Sequence, residues 1–444
     1  MAFRDLETLG TIARQTGARH PLARIRRIDG TQVLIAGGRS TMTLGDRVSF
    51  PLSGGRATGE VVGLSQDAAH VVVEGAIDSL TVGQPAVCRG PVTIAPHDSW
   101  LGRVIDSTGR PVDGSPLLMG PKARNLRAAP PEAVLRRGFG DRLSTGLHVF
   151  NTLLPIVRGQ RLGIFAGAGV GKSTLMGTFA GELEADVVIV GLVGERGREV
   201  GDFLRHVLGR RGMARSIVVV ETSDRPALAR RRAAEAAMTL AEHFRDAGKH
   251  VLLMIDSITR LAEAHREIAA ASGELPSLRG FPPSLVPLLA ALAERAGPGK
   301  EGQGDITAIF SVLVAGSDLD EPVADTLRGL LDGHVILSRT IAEGGRYPAV
   351  DVLRSISRSL PGAATAEENR LIERTRQTMS LLARNDALIR TGMYQPGVDH
   401  ALDKAIGQKP ALETFLGGRA RDTDASSFAA LALALDGPDD SDAA

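Results

Sequence analysis

The sequence predicts an α/β fold in which a parallel-sheet core follows a small β-barrel and precedes a helical region. Short β-rich runs separated by Gly and Asp turns occupy residues 21–92, and apolar strands alternate with helical stretches over residues 93–360. Residues 361–435 carry helical patterns without strand patterns. Alternating buried strands and helices are typical of a parallel sheet covered on both faces. The 444 residues exceed one conventional core and suit about three domains.

The composition excludes several classes of protein. Lys and Arg number 52 against 51 Asp and Glu, so the net charge of +1 gives no global field that favours nucleic acid or membrane. The single cysteine, Cys88, excludes internal disulfides and cysteine-ligated zinc. The longest apolar runs are far below the roughly 20 residues of a membrane-spanning helix, and the start does not read as a signal peptide. We therefore expect a cytoplasmic, multidomain protein.

The N-terminal part divides into two predicted segments. Residues 1–20 predict a short amphipathic helix, which either packs on its own domain or docks a partner; the pattern is Phe3, Leu6, Leu9 and Ile12. Residues 21–92 contain five β-rich runs at regular spacing: 32–37, 47–50, 59–64, 70–75 and 86–90. Short strands without a helical period between them predict a small β-barrel or sandwich.

Residues 93–360 predict the parallel sheet. The candidate buried strands are 163–167, 186–194, 216–223, 250–257 and 306–314, and residues 225–249 form the clearest helix between them. After Pro361 a helical seam repeats at intervals of seven and three residues, with Ile372, Met379, Leu382 and Ile389 along it. The acidic residues 436–444 predict a disordered tail.

The strongest chemical signal is GIFAGAGVGKST at 163–174, a strand followed by a glycine-rich turn and a helix start. In this context the pattern predicts a phosphate-binding loop. Backbone N–H groups of Ala168, Gly169, Val170, Gly171 and Lys172 would surround the β-phosphate at the positive end of the helix, beside Ser173 and Thr174. Lys172 would supply a charge to the terminal phosphates and Ser173 a hydroxyl to magnesium. The general pattern has glycine where this chain has Ala166.

Two acidic residues end predicted strands at the same sheet edge as this loop. Asp256 ends HVLLMID, where a carboxylate can hold Mg²⁺ through a water molecule. Glu195 ends another apolar strand in VGERGREV, and a carboxylate in that position can orient and deprotonate the water that attacks ATP. Arg196, Arg198 and Glu199 could position Glu195 through ion pairs.

These motifs, together with others further along the chain, resemble those of a known family. The phosphate loop, GERGREV, LMIDSITR, GELPSLRGFPPS at 273–284, DGHVILSR at 332–339 and GGRYPAVDVLRSISR at 344–358 occur in this order. Together they resemble the catalytic subunits of the rotary ATP synthase superfamily, and within it the flagellum-specific ATPases of the type III protein export apparatus. The resemblance implies a RecA-like phosphate-loop ATPase core, ATP as substrate and Mg²⁺ as cofactor. It covers nearly the whole chain and is weakest over residues 1–90 and after Gly417.

The resemblance also implies roles for residues that pattern alone would leave unassigned. Glu195 corresponds to the catalytic carboxylate, Asp256 to the magnesium-associated aspartate, and Arg196 to an arginine beside the carboxylate. Tyr347 corresponds to the aromatic residue that packs on the adenine ring. Arg358 resembles an arginine finger, which reaches the γ-phosphate bound by a neighbouring subunit, so a homohexameric ring is implied.

Partners follow from the same resemblance. They are a regulatory, peripheral-stalk-like protein at the N-terminus, a central stalk protein near the proline-rich loop at 273–284, and an export gate with chaperone–substrate complexes. Docking would occur at the inner face of the cytoplasmic membrane. One departure is that LLARNDALIRTGMYQPGVD carries only Asp386 and Asp399 as acids, whereas the rotary synthase has an acidic, rotor-contacting loop there.

Several functions share these motifs. The first is the ATP-hydrolysing motor of flagellar protein export, and the second is the equivalent ATPase of a virulence-type type III secretion system. A hexameric nucleic-acid translocase is the third, but the predicted barrel contains only one aromatic residue, Phe50, whereas single strands need stacking platforms and basic grooves. A non-catalytic ring subunit is the fourth, and it would have no need of Glu195.

Overall fold

The computed structural model describes residues 20–37, 42–75, 77–314, 319–420 and 424–436. These residues form a closed six-stranded barrel, a central α/β region around a nine-stranded sheet, and a group of C-terminal helices. The predicted fold class is confirmed. Residues 1–19, which hold nearly all of the predicted N-terminal helix, and residues 437–444 of the predicted tail lie outside the described residues.

The barrel is antiparallel and closes in the order β1-β2-β5-β4-β3-β6. Its strands are β1 (Leu22–Asp29), β2 (Gln32–Ala36), β3 (Asp46–Leu52), β4 (Gly55–Leu64), β5 (Ala69–Glu74) and β6 (Pro85–Pro91). Alternate side chains fill its interior, as with Val48 and Phe50 on β3, both fully buried. The first strand was not among the predicted runs.

The central sheet has the order β17-β16-β10-β15-β13-β11-β12-β8, with β14 paired to β15. Its long strands are β10 (Arg161–Ala166), β11 (Val187–Glu195), β12 (Ser216–Thr222), β13 (His250–Asp256), β15 (Asp305–Leu313) and β16 (Gly333–Leu337). Two-residue strands complete it: β8 (Val104–Ile105), β14 (Gly297–Pro298) and β17 (Ile356–Ser357). A separate pair joins β7 (Thr93–Ile94) to β9 (Arg124–Asn125).

Helices cover both faces of this sheet and form the C-terminal region. Those of the central region are α1 (His148–Asn151), α2 (Lys172–Glu182), α3 (Gly197–Asp202), α4 (Gly209–Ala214), α5 (Ala227–Asp246), α6 (Ile258–Ala271), α7 (Leu285–Arg295), α8 (Pro322–Leu330) and α9 (Arg339–Glu343). The C-terminal ones are α10 (Ala366–Arg384), α11 (Asp386–Arg390), α12 (His400–Gly417) and α13 (Asp424–Asp436). Among the described residues, no helix is long and apolar enough to cross a membrane.

Because the long strands are parallel, their carboxyl ends lie together at one edge of the sheet. Ala166 pairs with Leu313, and Leu192 pairs with Asp256. The ends of the five predicted strands lie within two residues of the observed ends, because each strand is a continuous apolar run buried on both faces. The predicted C-terminal seam is interrupted at Asn385, where α10 ends and α11 begins.

A buried ionic cluster joins the barrel to the central region. Glu60 on β4 is 2% exposed and accepts hydrogen bonds from Arg127, Arg231 and Arg232, the last two on α5. Arg232 also pairs with Glu74 on β5. Burial alone would raise the pKa of Glu60, but the three guanidinium groups hold that pKa below its usual value.

We expect Glu60→Gln to lower the free energy of unfolding by about 3 kcal/mol at pH 7, because it removes the buried carboxylate that three arginines share. Since the pKa of Glu60 is lowered in the folded chain, its ionised form stabilises the fold above the unfolded pKa. The loss relative to the parent should therefore shrink as the pH falls below about 4. Urea unfolding measures it, with the exposed Glu132→Gln as control. An effect equal to that of the control would contradict this account of the junction.

Candidate nucleotide-binding site

The predicted phosphate loop lies between β10 and α2. The loop turns through two glycines in the left-handed region, Gly169 at φ +77° and Gly171 at φ +86°, and α2 begins at Lys172. Nothing lies within 4 Å of the position that a Cβ on Gly169 would take, so the backbone N–H groups there are open to a ligand. Ala166 ends β10 in extended conformation and needs no positive φ, so alanine fits where the general pattern has glycine.

Lys172 and Asp256 meet at this loop. Asp256 ends β13 and is 4% exposed, and its Oδ1 pairs with Lys172 Nζ. The same oxygen accepts a hydrogen bond of 2.6 Å from Ser311 Oγ on the neighbouring β15. The structure thus brings the predicted phosphate-binding lysine and the predicted magnesium-associated aspartate into contact. Ser311 fixes the carboxylate and was not predicted, since its position depends on the strand order.

A β-bulge directly before Glu195 turns its side chain toward Lys172 and Asp256. The register between β11 and β12 shifts between Val193 and Glu195, which leaves Gly194 as the extra residue, at φ +69°. Bulges next to functional sites commonly redirect a side chain. Glu195 is half-buried, and its Oε1 has no hydrogen-bond partner among the described residues. A buried, unpaired carboxylate oxygen is costly unless it meets a donor such as a water molecule.

The surroundings of Glu195 suit a proton acceptor. Burial, the carboxylate of Asp256 and contact with Glu199 raise the pKa of Glu195 to about 7, against a lowering by Lys172. General bases work best when their pKa lies near the working pH. The pKa, the position and the unpaired oxygen all suit a group that accepts a proton from water.

Arg260 is a candidate that sequence reasoning missed. It lies on the first turn of α6, four residues after Asp256, and its side chain passes next to Gly194, where a Cβ would lie 3.1 Å from that of Arg260. Its Nη1 donates to Glu263 at 3.0 Å, and its Nε has no partner among the described residues. Hydrogen bonding to Glu263 raises the pKa of Arg260, and Glu195 adds to the rise. The sequence signal that could have identified Arg260 is its position one helical turn after an aspartate that ends a strand.

Two other predicted residues lie at the edge of the site. The Tyr347 ring borders the phosphate loop: its Cδ1 lies 3.1 Å from where a Cβ on Gly171 would be, and the side chain is 51% exposed. Arg196 has an exposed side chain, whose Nη1 lies 3.7 Å from Glu199 Oε1. Its ion-pair partner is therefore Glu199, which in turn contacts Glu195.

Arg358 lies at the opposite edge of the sheet. It follows β17, which pairs with the first residues of β16, and its backbone N–H bonds Asp332 O at 2.9 Å. The phosphate loop follows the far end of β10, which runs parallel to β16. Six strand residues separate the two edges, about 20 Å. Arg358, which is exposed, therefore cannot reach the phosphate loop of its own chain.

The donor set fits magnesium bound together with phosphates. No group of three or more His, Cys, Asp or Glu side chains that could hold a metal occurs in the described part of the chain. Mg²⁺ commonly binds through one or two protein oxygens, substrate phosphates and water. Ser173, in the first turn of α2, and Asp256 provide such oxygens beside the phosphate loop.

Comparison with known proteins identifies two matching family models. Residues 146–357 match the nucleotide-binding domain of the ATP synthase alpha/beta family. Residues 364–435 match the C-terminal domain of the type III secretion ATPase EscN. The first match includes the phosphate loop, Glu195 and Asp256.

Similar solved structures share the whole architecture. The assembled ATPase EscN from the type III secretion system of enteropathogenic E. coli has a TM-score of 0.87 at 36% identity, covering 93% of this chain and 100% of that one. The same ATPase in complex with its central stalk EscO has a TM-score of 0.83.

Similar sequences carry a more specific name. The flagellum-specific ATP synthase of Caulobacter vibrioides is 43% identical over 402 residues, which cover 88% of this chain and 90% of that protein. The flagellum-specific ATP synthase of Bacillus subtilis is 45% identical over 316 residues, covering 71% and 72%. On this identity and coverage, the chain belongs to the flagellum-specific ATP synthase family.

Proposed function

We propose that this chain is the ATP-hydrolysing motor of the flagellar type III protein export apparatus. It couples hydrolysis in a homohexameric ring to the unloading of chaperone–substrate complexes and their delivery to the export gate. The observation that carries the proposal is the convergence of the phosphate loop, Asp256 and the bulge-aimed Glu195 at one sheet edge, in a chain of this family. Relatives named for flagella reach 47% identity, against 42% for the type 3 secretion system ATPase of Xanthomonas euvesicatoria, so the virulence-type alternative is not favoured.

The chemistry follows from the positions of the side chains. Backbone N–H groups of residues 168–172 and the Lys172 ammonium hold the β- and γ-phosphates. Glu195 accepts a proton from the attacking water, whose oxygen bonds to the γ-phosphorus. The bond from that phosphorus to the β–γ bridging oxygen breaks, and ADP leaves with the electron pair. Tyr347 packs on the adenine, and Arg196 and Arg260 hold the acidic groups around Glu195 in place.

Lys172 and Asp256 exchange partners during this cycle. Without nucleotide, the ammonium is neutralised by the Asp256 carboxylate. When the phosphates arrive, Lys172 turns to them, and the Asp256 carboxylate and the Ser173 hydroxyl would then be the groups that hold Mg²⁺. The chemistry that Mg²⁺ would supply there is neutralisation of charge on the phosphate oxygens.

The ring and its partners complete the proposal. Arg358 reaches the γ-phosphate bound by the adjacent subunit, which its distance from its own phosphate loop favours. The loop at 273–284 contacts a central stalk: Leu275 on it is 81% exposed, and Ser284 Oγ donates to Glu274 at 2.6 Å across its base. A regulatory, peripheral-stalk-like protein binds the first 20 residues. The ring works in the cytoplasm, docked at the inner face of the membrane.

Deletion of the gene tests this function. We expect filament assembly to stop while cellular ATP synthesis continues, and the parent gene to restore filaments where a Lys172→Ala copy does not. Normal filaments in the deletion strain, together with lost secretion of other effector proteins, would favour the virulence-type alternative. Tight, salt-sensitive RNA binding with RNA-stimulated turnover would favour a translocase.

The raised pKa of Glu195 predicts a pH dependence. The base works when ionised, and half of it is protonated near pH 7, so kcat/KM should fall about tenfold per pH unit below roughly pH 7. Glu199→Gln removes a carboxylate that raises this pKa and should move the fall to lower pH. Steady-state phosphate release between pH 5.5 and 9 measures both. A profile that stays flat down to pH 5.5 would contradict the assignment.

A further inference from the structure

A cavity of about 410 Å³ lies in the crease between the barrel and the central region, away from the phosphate loop. Four arginines line it: Arg47 on β3, Arg56 on β4, Arg89 on β6, and Arg110 on the turn after β8. The barrel register explains two of them, Arg47 and Arg56. Ser49 pairs with Thr58, and Pro51 pairs with Arg56, so outward side chains of β3 and β4 form one patch.

Three of these four arginines have no hydrogen-bond or ion-pair partner in the part of the chain that the structure describes. Among the described residues, the guanidinium groups of Arg47, Arg56 and Arg110 make no hydrogen bond or ion pair, and Arg89 donates only to Ser49 Oγ at 3.1 Å. Burial, together with the positive charges of Arg232, Arg110 and Arg56, lowers the pKa of Arg47 to about 10. Like charges held together in this way gain from an anion between them.

The carboxylates nearest this cavity already have other hydrogen-bond or ion-pair partners. No Asp or Glu lines this cavity. Glu74 pairs with Arg232 and accepts a hydrogen bond from Thr58, while Asp106 Oδ1 accepts hydrogen bonds from the Thr108 backbone and hydroxyl and from Arg110 N. Glu60 is neutralised by its three arginines. The Asp106 carboxylate attracts Arg47 from outside the cavity, yet four guanidinium groups line the cavity and no described carboxylate does.

The remaining lining is also suited to oxyanions. The hydroxyl groups of Ser49 and Thr93 line the cavity and donate to no other described residue, whereas those of Thr58 and Thr108 donate to Glu74 and Asp106. Guanidinium forks bind phosphate oxygens in pairs, and hydroxyls donate to the oxygens that remain. The volume exceeds that of a single phosphate and accommodates two or three linked phosphate groups.

We propose that this crease binds a small soluble anion that carries two or more phosphate groups, at a site separate from the nucleotide. Because its walls come from both the barrel and the central region, the bound anion ties these two parts together. This proposal is independent of the proposed function, because it rests on the arrangement of arginines around the cavity.

Calorimetric titration with pyrophosphate tests the site. The full chain should carry Lys172→Ala, which weakens anion binding at the phosphate loop. We expect one site, whose affinity falls as salt rises, and a loss of at least tenfold with Arg47→Ala. Arg110→Gln, on a turn outside the barrel, should give a similar loss and keeps the test valid if Arg47→Ala fails to fold. Arg26→Ala, an exposed barrel arginine outside the crease, should change affinity less than twofold.

Three results would overturn the proposal. The first is that pyrophosphate binds at the phosphate loop alone, so that neither Arg47→Ala nor Arg110→Gln changes its affinity. The second is an equal loss with Arg26→Ala, which would mean diffuse attraction to the basic surface. The third is binding only to vesicles that contain phosphatidic acid, with no competition from pyrophosphate, which would make a lipid headgroup the ligand.

Discussion

Replacing Glu195 by glutamine is expected to lower kcat for ATP hydrolysis by about 10²–10⁴, the usual contribution of a general base. Glutamine keeps the size of the side chain but cannot accept the proton of the attacking water. ATP affinity should stay within a few fold, because the phosphates are held by Lys172 and the loop amides. Lys172→Ala, in contrast, should lose both binding and turnover.

Phosphate release measures turnover, and equilibrium binding of a fluorescent ATP analogue measures affinity, so together they separate the two effects. Glu184→Gln is the matched control, since it makes the same substitution on an exposed carboxylate outside the site. Its kcat should equal that of the parent. Near-normal turnover in Glu195→Gln would remove Glu195 from the mechanism, and retained ATP binding in Lys172→Ala would contradict the phosphate-loop assignment.

Arg358→Ala should lower kcat by about 10³–10⁵, the range known for arginine fingers. If each site combines Glu195 of one subunit with Arg358 of the next, mixing this variant with Glu195→Gln should restore activity. In randomly mixed rings about a quarter of the interfaces then hold both groups, since a ring interface is heterologous. Neither variant alone should show this recovery.

Mixed rings must be demonstrated by differently tagged subunits that co-purify. Arg370→Ala, an exposed arginine on α10, is the control and should retain parent activity. Mixed rings without any recovery would argue against a finger supplied by the neighbouring subunit. Full activity of Arg358→Ala would exclude the residue altogether.

The sequence predicts the larger elements because their signals are local. Continuous apolar strands such as β11 and β13 identify themselves by length and composition. The strand β1, LARIRRID, does not, because arginine occupies several of its exposed positions. The two-residue strands β8 and β17 depend on tertiary contacts that no local pattern encodes, and the break at Asn385 lies within an unbroken helical seam.

The same distinction applies to the candidate site. The phosphate loop is one contiguous motif, so its shape follows from its glycines. The direction of Glu195 depends on a bulge at Gly194, and the proximity of Arg260 and Ser311 depends on which strands are neighbours. The distance of Arg358 from its own phosphate loop requires the sheet register. Spacing along the chain cannot supply these relations.

A structure determined with Mg²⁺ and a non-hydrolysable ATP analogue tests the central claim most directly. We predict that the triphosphate lies against the amides of residues 168–172, with Lys172 moved from Asp256 to the phosphates. The Glu195 carboxylate should face the γ-phosphate across one water molecule, at hydrogen-bond distances of about 3 Å. A triphosphate bound elsewhere, or a Glu195 side chain directed away from the γ-phosphate, would contradict the account.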